Sequence, residues 1–248
     1  MIWIEILGPS GVGKSYWYNK FMAKYPDLDP QGMVLKRIYQ SDDYQNFSFK
    51  IKCMFFISNM NIYKFSNHFK LKLFSYFLHN FERKSKNIFT ADDNILIKKY
   101  LANVDCLNEP QIVVLKKIDY FHSKLIEFKF YNFYLREEDT YIAEDGLLHL
   151  SPIFIEELKP NKLLVFEKDF EKLLCQRVQR ARKNPTTFIE FLFNENDLKN
   201  YINKYFIIYK QKLNSTTGSV NKENICTINL DEDDVIKEMN LFVSRPIN

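Results

Sequence analysis

Short apolar blocks occur at five places along the chain, each bounded by residues that favour turns. Ile2-Trp3-Ile4-Glu5-Ile6-Leu7, Met33-Val34-Leu35-Lys36-Arg37-Ile38-Tyr39, Thr140-Tyr141-Ile142-Ala143, Leu163-Leu164-Val165-Phe166 and Ile225-Cys226-Thr227-Ile228-Asn229-Leu230 read as β-strands. Between them the apolar period lengthens. Tyr16 to Tyr25 reads as a helix that Pro26 ends. From about residue 46 to 135 helical spacing dominates, with Phe69, Leu73, Phe77 and Phe81 recurring every four residues. Thr90-Ala91-Asp92-Asp93 has the form of a helix start, and Pro110 opens a further run to Leu135, so three to five helices are expected here. Later, one helix is expected from near Asp169 through Arg182. A long one, capped by Thr186 or Thr187, reaches about Leu213, and a polar loop spans Asn214 to Asn224. A last helix runs from Glu232 to Val243. Strands alternating with helices predict an α/β fold with a mostly parallel sheet covered on both faces. Ligands of such sheets bind beyond the carboxyl ends of the strands.

Composition narrows the class without naming a function. In 248 residues, 46% hydrophobic content supports a core and excludes disorder as a description of the whole chain. The chain is expected to form a single domain over residues 1–248. Apolar stretches are broken by Lys, Asn or Asp before the roughly 18 residues of a membrane span. With 35 basic and 31 acidic residues the net charge is +4, so a dedicated nucleic-acid partner is not expected. Cys53, Cys106, Cys175 and Cys226 stand far apart, and His68, His79, His122 and His149 show no metal-ligand spacing. The first residues enter a strand directly, without a basic segment and apolar leader, so a cytoplasmic location is expected.

Glycine is scarce, which makes its placement informative. Three of the six glycines fall within Gly8-Pro9-Ser10-Gly11-Val12-Gly13-Lys14-Ser15, a full GxxxxGK[ST] pattern. The glycines allow the backbone to curl so that successive N–H groups point into one concavity, where phosphate oxygens can sit. The helix that follows adds the positive end of its dipole. In this arrangement Lys14 reaches the β- and γ-phosphates of a nucleoside triphosphate, and Ser15 supplies a hydroxyl ligand to magnesium. The apolar strand before the loop and the helix after it give the pattern its required context.

Two further segments carry a family resemblance. Leu173-Leu174-Cys175-Gln176-Arg177-Val178-Gln179-Arg180-Ala181-Arg182-Lys183-Asn184-Pro185 is similar to an Arg-rich lid, and Ile228 to Ile236 is similar to a last strand with an acidic helix entry. With the glycine loop, these make the chain resemble P-loop kinases of the nucleoside-monophosphate-kinase-like and shikimate-kinase-like group, over the first 45 residues and the last 110. The resemblance implies a P-loop three-layer sandwich with a five-stranded parallel sheet in the order 2-3-1-4-5. Residues 46–135 then form a helical acceptor-side insertion and 169–185 a lid-like segment. It implies ATP and Mg2+ as cofactors, with Arg177 against the nucleotide base and Arg180, Arg182 and Lys183 acting from the lid. It also implies a strand-end carboxylate for magnesium. Glu144 and Asp145 both qualify, and Asp145 is preferred because it precedes Gly146. Asp42, or its neighbour Asp43, is expected to orient an acceptor hydroxyl and take its proton.

The expected activity is transfer of the γ-phosphoryl of ATP to a small-molecule acceptor, with a hydroxyl of a sugar, cyclitol or nucleoside ahead of a nucleoside monophosphate. A nucleotide-driven switch acting on a protein partner is the alternative class. In the insertion, Lys64, Lys70, Lys72, Arg83, Lys84 and Lys86 lie among Phe and Tyr. That composition fits an amphipathic helix with solvated lysines, which is the favoured reading, or a lipid-linked acceptor at a membrane surface. The sequence leaves the acceptor, the choice of ATP or GTP, and the oligomeric state open.

Overall fold

Four of the five apolar blocks pair into one parallel sheet. In order across it stand β2 (Thr140–Ala143), β1 (Ile2–Leu7), β3 (Lys162–Glu167) and β4 (Ile225–Asn229). The register sets Glu5 beside Ala143, Leu7 beside Val165 and Glu167 beside Asn229. Every strand therefore delivers its following turn to the same edge. The computed structural model describes residues 1–9, 11–59, 63–84, 90–103, 111–144, 146–147, 160–183, 194–217, 220–231 and 234–247. Nine helices lie among them: α1 (Lys14–Lys24), α2 (Pro30–Tyr39), α3 (Phe49–Asn59), α4 (Tyr63–Lys84), α5 (Ala91–Asn103), α6 (Gln111–Tyr134), α7 (Phe170–Lys183), α8 (Glu195–Thr217) and α9 (Val235–Ser244).

Alternation along the strands divides the core into two layers. Trp3, Leu7, Leu163 and Val165 point toward the side covered by α2 to α6 and α8. Ile4, Ile6, Leu164 and Phe166 point toward α1, α7 and α9. Phe21 of α1, Phe130 of α6 and Phe242 of α9 are fully or almost fully buried against these faces. Each such side chain contributes about 1.5–3 kcal/mol by leaving water. Lys162, at the amino end of β3, is buried too. Its ammonium donates to the carbonyls of Phe242, Val243 and Arg245 and so satisfies the open end of α9. Burial, helped by Arg245, holds this lysine below the usual range.

One expected strand is a helix. Residues 33–39 belong to α2, so the described sheet has four strands, and the five-stranded order 2-3-1-4-5 does not hold. The Asp29 side chain accepts the Gln31 N–H at 3.2 Å, and Pro30 takes the first helical position, where a missing N–H costs nothing. Val34, Leu35 and Ile38 are then buried along one helical face. α8 also continues to Thr217, through part of the expected loop. Thr186 and Thr187 lie outside the described residues. Among those described, no helix is long and apolar enough to cross a membrane.

Candidate functional site

At the carboxyl edge of the sheet, the chain leaves Leu7 and turns through the glycine loop into α1. Gly11 has φ 85° and Gly13 φ 109°, left-handed values that glycine adopts without strain. The Val12 N–H donates to the Pro9 carbonyl at 3.2 Å. Gly13 is the N-cap of α1 and offers no side-chain cap, so the first-turn N–H groups are directed to the concavity of the loop. Lys14 is buried, and its ammonium donates to the Gly8 carbonyl at 3.1 Å. A Cβ on Gly8 would meet Val12 Cγ1 at 3.0 Å and the Phe166 carbonyl oxygen at 3.1 Å, so the loop is seated closely on the end of β3. Ser10 lies outside the described residues.

Glu144 emerges from β2 beside this loop, and its carboxylate accepts a hydrogen bond from the Ser15 hydroxyl. Asp145, the preferred of the two carboxylates, lies outside the described residues. Beyond it, a Cβ on Gly146 would fall 2.6 Å from the carboxyl carbon of Glu5, a fully buried residue of β1. A side chain at this position would have to displace the buried Glu5 carboxylate.

A second carboxylate, not singled out by the sequence, acts on the same side chain as Glu144. Packing pushes the Tyr18 phenol of α1 upward, with Asp29, Glu144 and Glu127 adding to the effect. Asp29 and Glu144 thus act on one side chain. Burial also raises the Asp29 carboxyl, against the opposing pull of Lys70 and the N–H groups of Gln31 and Gly32. Its sequence signal was the Asp-Pro pair that opens a helix.

Among the basic residues, Arg177 comes to the loop. It is 3% exposed, and a Cβ on Gly11 would meet its Cγ at 2.9 Å and its Cδ at 3.0 Å. The arginine stem therefore covers Gly11. Arg180 is half-buried on the same helix. Arg182 instead pairs at the surface with Glu195 of α8, Nε donating at 2.7 Å, and Lys183 is exposed.

Asp42 and Asp43 do not join the site. Because residues 33–39 are helical, they fall in a short 3-10 turn, Asp42–Asn46, and both are exposed. Arg37, at the end of α2, bonds the Asp139 carboxylate at 2.9 Å, immediately before β2, and the Asp139 backbone carbonyl accepts the Ile2 N–H at 2.8 Å. Asp43 raises the Tyr134 phenol, behind the effect of burial. These contacts set the paired aspartates at the amino ends of the strands, about 20 Å from the glycine loop along a six-residue strand.

A cavity of about 430 Å³ opens beside Pro9 at the carboxyl ends of β3 and β4. Phe206, Tyr209 and Leu213 of α8 line it, together with Lys168, Lys172 and Lys210 and the polar groups of Glu167, Asp169, Asn229 and Asp231. Tyr209 is 6% exposed, and its hydroxyl has no hydrogen-bond partner among the described residues. Burial keeps that phenol protonated, with Tyr205 and Glu167 adding. Asp231 pairs with Lys172 at 3.5 Å and accepts the Asp169 N–H at 3.3 Å, joining α7 to the turn after β4.

Comparison with protein-family models, with curated proteins and with solved structures finds no match to this chain.

Proposed function

We propose that the chain is a magnesium-dependent P-loop phosphotransferase, moving the γ-phosphoryl group of ATP to a small-molecule acceptor. The observation that carries this reading is the hydrogen bond from Ser15 to Glu144. It sets the hydroxyl that closes the glycine pattern against a strand-end carboxylate. A hydroxyl and a carboxylate, completed by phosphate and water oxygens, suit the octahedral oxygen coordination of magnesium. Once bound, the cation would neutralise charge on the β- and γ-phosphates.

The remaining parts are assigned from their places. N–H groups of the loop and of the uncapped start of α1 hold phosphate oxygens. Lys14 exchanges the Gly8 carbonyl for the β- and γ-phosphates, and Arg177, lying over Gly11, adds a fixed positive charge. The nucleoside occupies the cavity beside Pro9, where the Tyr209 hydroxyl gains a partner and Phe206 and Leu213 offer apolar contact to the base. The acceptor enters on the Tyr18 side, next to Glu144. Its oxygen bonds to the γ-phosphorus while the bond to the bridging oxygen breaks, and that electron pair leaves on ADP. The hydroxyl proton passes to Asp29, whose raised carboxyl makes it a better base than an exposed aspartate. Asp29 thus takes the role the sequence had given to Asp42. A hydroxyl acceptor leads; Lys70, acting on Asp29, favours a nucleoside monophosphate as the second choice.

The test is ADP release from Mg-ATP across nucleosides, nucleoside monophosphates, free sugars and sugar phosphates, with Lys14→Ala as the blank. Stimulation by one acceptor, absent in the blank, is expected. Nucleotide binding without acceptor-dependent release would count against transfer, and hydrolysis triggered only by an added protein would mark a switch.

A further inference from the structure

Charge is distributed unevenly along this chain. Residues 44–81 contain five lysines and not one Asp or Glu. With a net charge of +4 overall, this segment's +5 leaves the rest at −1. Most of the segment is α3 and α4, which pack against each other.

The lysines are interspersed with aromatic side chains that the fold leaves outside. α3 buries Ile51 and Phe55, yet Phe49 is 83% and Phe56 69% exposed. On α4, Leu71 is 53% exposed and Tyr76 is exposed as well, while Leu73, Phe74 and Phe77 are buried. Phe133 of α6 is 70% exposed and packs on Phe81 of α4, ring centroids 5.6 Å apart. Lys50 and Lys72 are exposed within the same two helices. An amphipathic helix that only solvates its lysines would turn its phenylalanines inward. These helices have filled their inner face and carry a second set of apolar groups outside.

We propose that the exposed side of the α3–α4 hairpin, with Phe133, docks on the surface of an anionic lipid bilayer. Lysines lie among the headgroups while Phe49, Phe56 and Leu71 enter the boundary with the acyl chains. The helices lie on the membrane and do not cross it, in keeping with the lack of a spanning helix among the described residues. A nucleic acid is the less suitable polyanion here. Apart from Arg83 near the end of α4, the cations of these two helices are lysines, point charges that suit a diffuse plane of headgroups. Exposed phenylalanine and leucine also add nothing to a charged backbone. The proposal stands independently of phosphotransfer.

Co-sedimentation of the full chain with vesicles tests it, comparing phosphatidylcholine with phosphatidylcholine containing phosphatidylserine. Binding only to the anionic vesicles is expected. Neutralising two lysines, Lys50→Gln with Lys72→Gln, should lower the partition coefficient about thirtyfold. Phe49→Ser with Phe56→Ser should lower it at least about tenfold. All four side chains are on the surface, and circular dichroism confirms folding of each variant. No pelleting with anionic vesicles, or pelleting indifferent to the phenylalanine pair, overturns the proposal. So does tighter binding to a single-stranded oligonucleotide that depends on the lysines alone.

Discussion

Gly11→Ala separates backbone shape from packing at the loop. At φ 85° a Cβ crowds its own backbone, at a cost of about 1–2 kcal/mol for an L-residue. The new methyl group also lies 2.9 Å from Cγ and 3.0 Å from Cδ of Arg177, whose side chain is buried and cannot swing freely into water. Crowding of that kind costs about 1–3 kcal/mol. The two effects together should lower folding stability by about 2–5 kcal/mol. Urea unfolding measures this directly. Arg177→Ala alone also destabilises by removing packed side-chain atoms, but in Gly11→Ala/Arg177→Ala the crowding is gone. The double variant should therefore fall short of the sum of the singles by about 1–3 kcal/mol. Additive losses, or wild-type stability in Gly11→Ala, would refute the packing of Arg177 on the loop.

Further outcomes follow from other contacts. Glu144→Gln keeps the shape of the side chain at Ser15 but removes the charge, so the magnesium concentration for half-maximal turnover should rise at least about tenfold. Tyr209→Phe deletes a hydroxyl that has no partner among the described residues, so thermal unfolding should change by less than about 0.5 kcal/mol. The same variant should bind ATP about tenfold more weakly while leaving tripolyphosphate affinity unchanged. At Asp139, burial opposes ionisation, but the Arg136 N–H and the Arg37 guanidinium outweigh it and hold the carboxyl below its usual range. A depressed folded-state value stabilises the protein above the unfolded carboxylate pKa, and this stability is lost as pH falls below about 4. Arg37→Ala should move the acid-unfolding midpoint to higher pH and cost about 1 kcal/mol at neutrality. An unchanged midpoint would contradict that assignment.

The first strand, glycine loop and α1 were legible because local signals agree there: an apolar block, glycines at turn positions and a proline stop. Residues 33–39 misled because five of seven are apolar or aromatic, which reads as a strand when taken alone. The spacing of Val34, Leu35 and Ile38, and the Asp29-Pro30 opening, favour a helix, and in the fold they prevail. That single exchange carried Asp42 and Asp43 to the opposite edge of the sheet. Asn214 to Thr217 reads as a loop because Asn-Ser-Thr-Thr carries no apolar period. The cavity could not be seen at all from sequence, since Pro9, Asp169, Tyr209 and Asn229 come from four distant segments. The contact of Glu144 with Ser15 likewise spans 129 positions.

The most direct measurement of the central claim is nucleotide binding by the wild-type chain and by Lys14→Ala, with and without magnesium. Losing one charge-assisted contact to the phosphates should weaken binding about ten- to hundredfold. Magnesium-dependent binding of ATP or GTP that falls by that much in the variant is expected. No binding by the wild type, or equal affinity in Lys14→Ala, would contradict a triphosphate site at the glycine loop.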